Sequence, residues 1–236
     1  MTVVDQVVLD DAAALAEQIA RRLELFLADV QVRGRAPHVV LTGGTIAIAA
    51  YEQLAADALD WTRVHFWWGD ERFVPEGHED RNDQQARDAF LDRFSVPDDH
   101  VHAMPAHGCG ESMAQAADGY GATLPDEPFD LVLLGMGPDG HVASLFPGFE
   151  QLHETERPCV EVFGSPKPPP ERITLTFPRL NAARETWFLV SGDGKADAVA
   201  RALGDTTIEE TPASGAHGTD RTLWLLDAAA ASRLPR

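Results

Sequence analysis

The sequence predicts an α/β fold: a single-domain, doubly wound, mainly parallel sheet with helices on both faces. Three observations lead there. Strand-like and helix-like segments alternate along the whole 236 residues. The strand-like segments have apolar middles, as strands covered on both faces do. Several of them run straight into glycines and charged residues, the end of an α/β sheet where ligands bind. No linker or low-complexity segment divides the chain, so residues 1–236 are expected to form one domain.

The elements follow in order. Residues 10–30 carry apolar side chains at helical spacing behind an acidic start, an amphipathic helix. HVVLTGG (38–44) is a strand breaking into a glycine pair, and TIAIAAYEQLAADA (45–58) is the helix after it. VHFWWGDERFVP (64–75) reads as a second buried strand ending in charge. DQQARDAFLDRF (83–94) and SMAQAADGYGATL (112–124) are helical, and FDLVLLGMG (129–137) is a third buried strand. CVEVF (159–163) is a short strand; RITLTFP (172–178) alternates more and is placed at a sheet edge. ETWFLVSGDGKADAVARAL (185–203) reads as strand, glycine turn and helix, and RTLWLLDAAAA (221–231) as a strand with a short helical tail. SPKPPPER (165–172) is too short for a domain linker and reads as a stiff loop, which covers the site if Arg172 belongs to it.

Composition excludes several classes. The 19 Lys+Arg against 38 Asp+Glu give a net charge of −19, adverse to nucleic acid and to anionic membrane surfaces. In so acidic a chain, basic residues gathered at one place are informative. No apolar run is long enough for a membrane span, and MTVVDQVVLDD lacks the basic-then-apolar order of a signal peptide. Cys109 and Cys159 are expected as free thiols in a reducing, cytoplasmic setting.

The chemistry is sought at the strand ends. Thr42-Gly43-Gly44-Thr45 suits a phosphate, because glycines admit a ligand close to backbone N–H groups; a plain tight turn with Thr45 as helix cap fits as well. In Gly69-Asp70-Glu71-Arg72, Arg72 can grip a phosphate bidentately, or close a salt bridge with Asp70 or Glu71. Lys195, after Ser191-Gly192-Asp193-Gly194, is a phosphate or hydroxyl contact or an exposed lysine. Gly135, Gly137 and Gly140 spell the dinucleotide spacing G-x-G-x-x-G. That reading fails because HVASLFPG allows at most two helical turns before Pro147, and Glu161 lies within its strand rather than at its end. The loop instead holds His141 two residues after Asp139, a general base or a structural histidine. His100, His102 and Asp98 lack a third ligand at metal spacing, and no G-x-S-x-G elbow is present.

LTGGT, WWGDERFVP, LLGMGPDGHVASLFPG, KPPPERITLTFPRLNAA and FLVSGDGKADAV together resemble the 6-phosphogluconolactonase family, in that family's order and over nearly the whole chain. The related glucosamine-6-phosphate deaminases share a DGH loop but follow it with an FNEP-like segment. This chain has Ser144-Leu145-Phe146-Pro147-Gly148 there, and Asp70-Glu71-Arg72 where deaminases tend to have Asp-Glu-Tyr. The resemblance implies a Rossmann-like fold of the deaminase/lactonase type. It implies hydrolysis of 6-phospho-D-glucono-1,5-lactone to 6-phospho-D-gluconate in the oxidative pentose phosphate pathway, with no metal or organic cofactor.

By position, His141 matches the family's base, with Asp139 beside it. Gly43, Gly44, Thr45 and Arg72 match phosphate-side residues, and Arg172 and Lys195 match basic residues of the pocket. Asp70, Asn82, Gly137 and Gly140 complete the expected binding set. Two departures stand out. Arg81 occupies the place of a serine in His78-Glu79-Asp80-Arg81-Asn82, and TGGTIA lacks the serine and proline usual in the first loop.

The mechanism expected is attack of water, deprotonated by His141, on the lactone carbonyl. Backbone N–H groups of 137–141 are candidate oxyanion donors, and His141 or Asp139 then protonates the ring oxygen. The expected partner is a small sugar-phosphate lactone, with the chain a monomer or weak dimer, and no nucleic acid or membrane is expected. The alternatives are a deaminase/isomerase acting on an amino-sugar phosphate, and a non-catalytic sugar-phosphate-binding regulator.

Overall fold

Apolar runs that need cover on both faces build the centre of the molecule. The computed structural model describes residues 3–235; Met1, Thr2 and Arg236 lie outside the described residues. Strands β1 (Val3–Leu9), β2 (His38–Leu41), β3 (His65–Trp68), β5 (Leu131–Gly135), β8 (Glu185–Val190) and β9 (Arg221–Asp227) form a six-stranded sheet in the order β1-β9-β8-β5-β2-β3. Every pairing in it is parallel. Leu131 to Leu134 are at most 1% exposed, as the unbroken apolar run requires.

Helices α1 (Ala12–Val32), α2 (Thr45–Tyr51), α3 (Asn82–Ala89), α4 (Met113–Thr123), α5 (Phe177–Asn181) and α6 (Ala196–Ala202) surround the sheet. Asp11 caps α1 by accepting from Ala14 N at 2.9 Å. The α1 stripe Leu15, Ile19, Leu23, Leu27 and Val30 is buried in the core, each side chain contributing about 1.5–3 kcal/mol. Ser112 and Gln115 close a capping box on α4.

Several elements differ from the sequence reading, each because of a distant partner. The N-terminal segment is an edge strand, β1, whose Val3 to Leu9 pair in register with Arg221 to Asp227 at the far end of the chain. The helix expected over 45–58 ends at Tyr51, and the chain then turns so that Leu54 enters the core and Ala55 N donates to Glu24 of α1 at 2.7 Å. The segment 64–75 divides at Gly69. That residue donates to Leu41 O of the large sheet and accepts from Leu175 N, so the chain passes from β3 into a second sheet.

This small antiparallel sheet has the order β4 (Asp70–Arg72), β7 (Arg172–Leu175), β6 (Cys159–Val162). Residues 172–175, expected at an edge, are therefore its central strand. Their polar alternation reflects buried hydrogen bonding, since Thr174 Oγ1 donates to Leu175 O and accepts from Ser144 N. Helix α5 was not anticipated. Cys109 is an exposed free thiol and Cys159 a buried one. Among the described residues, no helix is long and apolar enough to cross a membrane.

The N-terminal ends of β2 and β3 carry a stack of imidazoles. His38 and His65 lie 4.5 Å apart and nearly parallel, His65 Nδ1 is 3.0 Å from His102 Nε2, and His102 stacks on Trp67 at 3.7 Å. Burial, reinforced by His38 and His100 and opposed by Asp99, pushes His65 and His102 down to about 4. Unfolded imidazoles titrate near 6.5, so between about pH 6.5 and 4 the unfolded chain binds more protons. Stability is therefore expected to fall as pH falls through that window. A Tm series should show this decline, and the decline should be smaller in His65→Phe, which stacks but takes no proton. A Tm that is flat from pH 6.5 to 4 contradicts it.

Candidate active site

The carboxyl ends of β2, β3, β5 and β8, with β4 and β7 of the small sheet, enclose a cavity of about 730 Å³. All the expected site residues except Asp139 and Gly140 line it, and those two stand directly behind His141.

The loop after β5 is built inward on itself. Gly137 N donates to His141 O and Gly140 N to Gly137 O, both at 3.0 Å. A side chain on Gly137 would overlap the His141 ring and the Asp139 carboxylate, so the loop closes only around a glycine there. Asp139 Oδ1 lies 2.5 Å from His141 Nδ1, and the ring packs on Phe146 at a centroid distance of 4.6 Å. Burial raises the Asp139 carboxyl, but the hydrogen bond and charge of His141 outweigh it and bring it down to about 2. Asp139 is thus a carboxylate that accepts from Nδ1–H, leaving Nε2 as the basic nitrogen.

The SLFPG segment acts through two side chains. Phe146 is buried against the imidazole, and Ser144 Oγ donates to Asp70 Oδ2 at 2.6 Å. Directly before Ser144, Ala143 lies at φ 48°, a left-handed conformation that costs a non-glycine residue about 1–2 kcal/mol.

Most of the expected oxyanion donors are engaged within the loop. Gly137 N and Gly140 N are bonded within the loop, His141 N reaches Asp139 Oδ1 at 3.3 Å, and Pro138 has no N–H. These three amides are used within the loop, and the Asp139 N–H stays a candidate donor.

On the β2 side, Tyr51 OH bonds both Thr42 N and Thr42 O, and Thr42 Oγ1 accepts from Gly135 N at 3.2 Å. This fixes the TGGT turn against the DGH loop. Gly44 is the helix cap and Thr45 makes no side-chain cap, which leaves Thr45 to the cavity. A Cβ on Gly43 would stand 2.8 Å from Asn82 Cγ, so glycine is needed where the turn meets α3.

The basic residues converge. Arg72 donates through Nη1 to Asp80 O, while its buried Nε has no hydrogen-bond partner. Its neighbours Asp70 and Glu71 bind elsewhere: Asp70 receives Ser144 and lies 3.8 Å from Arg172 Nη1, and Glu71 turns away from the cavity. Arg172 is buried and braces the proline-rich loop through Pro169 O at 3.2 Å and Lys167 O at 3.0 Å. That loop brings Lys167 to the cavity, a residue the sequence reading did not single out; its only signal was its place just before Arg172. Lys195 donates to Met136 O. Burial, then the Lys167 charge, lowers its pKa, and burial likewise lowers that of Arg172. Arg72, Lys167, Arg172 and Lys195 thus meet in one crevice of a chain of net charge −19.

Asn82 lines the cavity with Oδ1 unpaired while its Nδ2 donates to Asp70 O at 2.9 Å. Arg81 points away from it and is bound to Asp83 Oδ1 and Met104 O, both at 2.6 Å. The position that departs from the family pattern is therefore structural in this chain.

A doubly wound sheet whose crevice joins a histidine–carboxylate pair to a set of cations defines an α/β enzyme acting on small anionic molecules. Residues 10–224 match the profile of the glucosamine-6-phosphate isomerases/6-phosphogluconolactonase family, and the chain belongs to that family. It is 47% identical to a 6-phosphogluconolactonase of Streptomyces coelicolor, over 98% of this chain and 94% of that protein. It is 48% identical to the 6-phosphogluconolactonase of Mycobacterium tuberculosis, over 88% and 89% of the two chains. Among solved structures, 6-phosphogluconolactonase from Trypanosoma brucei superposes with a TM-score of 0.85 at 26% identity, covering 100% of both chains.

Proposed function

We propose that this chain hydrolyses 6-phospho-D-glucono-1,5-lactone to 6-phospho-D-gluconate, a step of the oxidative pentose phosphate pathway. The observation that carries the proposal is the His141–Asp139 pair sharing one cavity with Arg72, Lys167, Arg172 and Lys195. The phosphate is held by Arg72, whose Nε is free, beside the Gly43–Thr45 turn, and this remote grip positions the lactone ring. His141 Nε2 takes a proton from water as the water oxygen bonds to C1. The C1–ring oxygen bond then breaks, and the proton returns from the imidazolium to the departing ring oxygen. Asp139, a carboxylate, orients and stabilises His141 but has no proton to give.

With the amides of Gly137, Gly140 and His141 engaged, a side-chain donor takes charge on the carbonyl oxygen. Lys195, bound to Met136 O at the base of the loop, is in place for it. A lactone is already reactive, so no covalent nucleophile is required. The same reading favours a cytoplasmic setting, which the free thiols of Cys109 and Cys159 suit.

The test is an initial-rate assay with freshly prepared phosphogluconolactone, corrected for spontaneous hydrolysis, alongside plain gluconolactone and glucosamine 6-phosphate. Acceleration is expected with the phosphorylated lactone and no ammonia from the amino sugar. Ammonia release overturns the proposal in favour of a deaminase, and binding without turnover of any of the three overturns it in favour of a regulator.

A further inference from the structure

Glu71 does not line the cavity, yet the anion-binding half of the cavity is organised around its carboxylate. Oε1 accepts from Arg72 N and Asn82 N, each at 2.8 Å, and Oε2 accepts from Asp83 N at 2.9 Å. The residue is 1% exposed. Helix α3 begins at Asn82 and has no side-chain cap of its own from Arg81, so a strand residue from elsewhere satisfies its first N–H groups. Asp80 O, which accepts from the Arg72 guanidinium, lies in the same turn. The strand carrying Arg72, the carbonyl that steadies its guanidinium and the backbone of Asn82 are all referenced to one carboxylate. Arg81 Nη2 lies 4.0 Å from Glu71 Oε2, and Arg81 is itself fixed by Asp83 and Met104 O. Burial pushes the Glu71 carboxyl up to about 8, against Arg81 and the N–H groups of Asn82 and Asp83, which favour its ionised form.

We infer that Glu71, backed by Arg81, is the positioning residue of the phosphate grip, holding the strand and turn that aim the Arg72 guanidinium. The inference rests on the reading of Arg72 as a phosphate contact. Glu71→Gln keeps the shape but sets an NH₂ group against Asp83 N–H, leaving a buried donor without an acceptor. The expected result is a KM for phosphogluconolactone raised roughly tenfold, with kcat changed less than about twofold, and no change in KM for plain gluconolactone. In an Arg72→Ala background Glu71→Gln should add little further rise, because both act on one contact.

A KM that multiplies in the double variant, an effect confined to kcat, or an unchanged KM in the single variant overturns the inference. Arg72→Ala alone is the separate arm: if it leaves KM unmoved, the phosphate reading fails whatever Glu71 does. Should Glu71→Gln fail to fold, Arg81→Lys carries the test. It keeps a cation near Glu71 but gives up the fork that binds Asp83 and Met104 O. It should raise KM in the same sense, and a lowered Tm with unchanged KM overturns positioning.

Discussion

His141→Ala is expected to lower kcat on phosphogluconolactone by about 10²–10⁴-fold, the usual contribution of a positioned general base. KM should change little, because on the proposed reading Arg72 rather than the imidazole grips the phosphate. The reasoning is geometric. Asp139 occupies Nδ1 at 2.5 Å and Phe146 packs on the ring, so the imidazole is held with Nε2 as its one available nitrogen. Nothing else in the loop can replace it: Asp139 is held near a pKa of 2 and is too weak a base near neutrality. The measurement is kcat after subtraction of the spontaneous rate, with Tm recorded alongside. A mutant that folds and turns over at the wild-type rate removes His141 from the mechanism.

Arg72→Ala is expected to act on the opposite parameter. A charge-assisted hydrogen bond contributes about 1.5–3 kcal/mol, which corresponds to a KM raised roughly 10- to 150-fold with a smaller change in kcat. Arg72 is suited to this because its neighbouring carboxylates are otherwise engaged, Asp70 by Ser144 and Arg172 and Glu71 by backbone N–H groups. The informative measurement is the ratio of kcat/KM for phosphorylated over plain gluconolactone. It should collapse toward one in Arg72→Ala, and a preserved ratio would place the phosphate elsewhere, with Lys167 and Arg172 the next residues to test.

Much of the site was legible because it lies at strand ends. An apolar run that stops at glycine and charge identifies both a buried strand and the place where its chain turns into the crevice. Thr42 to Thr45, Asp70, Arg72, Gly137, His141 and Lys195 could therefore be placed on one rim before any contact was known. The roles within that rim were less legible. Asp70 lies two residues from Arg72, on the same face of β4, yet binds Ser144 and Arg172. Adjacent side chains in a strand point to opposite faces, so only Glu71, between them, is set apart from Arg72 by the pleat. The same alternation turns Glu71 away from the cavity and onto the start of α3. Of the amides of 137–141, plausible donors by position, those of Gly137, Gly140 and His141 are engaged within their own loop.

By itself the sequence determined the parallel sheet, the glycine-lined strand ends and the histidine two residues after an aspartate. Each depends on local chemistry: apolar runs, turn residues and a short fixed spacing. Only the tertiary structure decided that the first strand pairs with the last, that residues 172–175 run through the middle of a second sheet, and that Lys167 reaches the cavity. It alone showed Arg81 to be buried and Glu71 to cap a helix from a neighbouring strand. These arrangements follow from which distant groups satisfy a buried charge or N–H, and a periodic pattern along the chain carries no record of that choice.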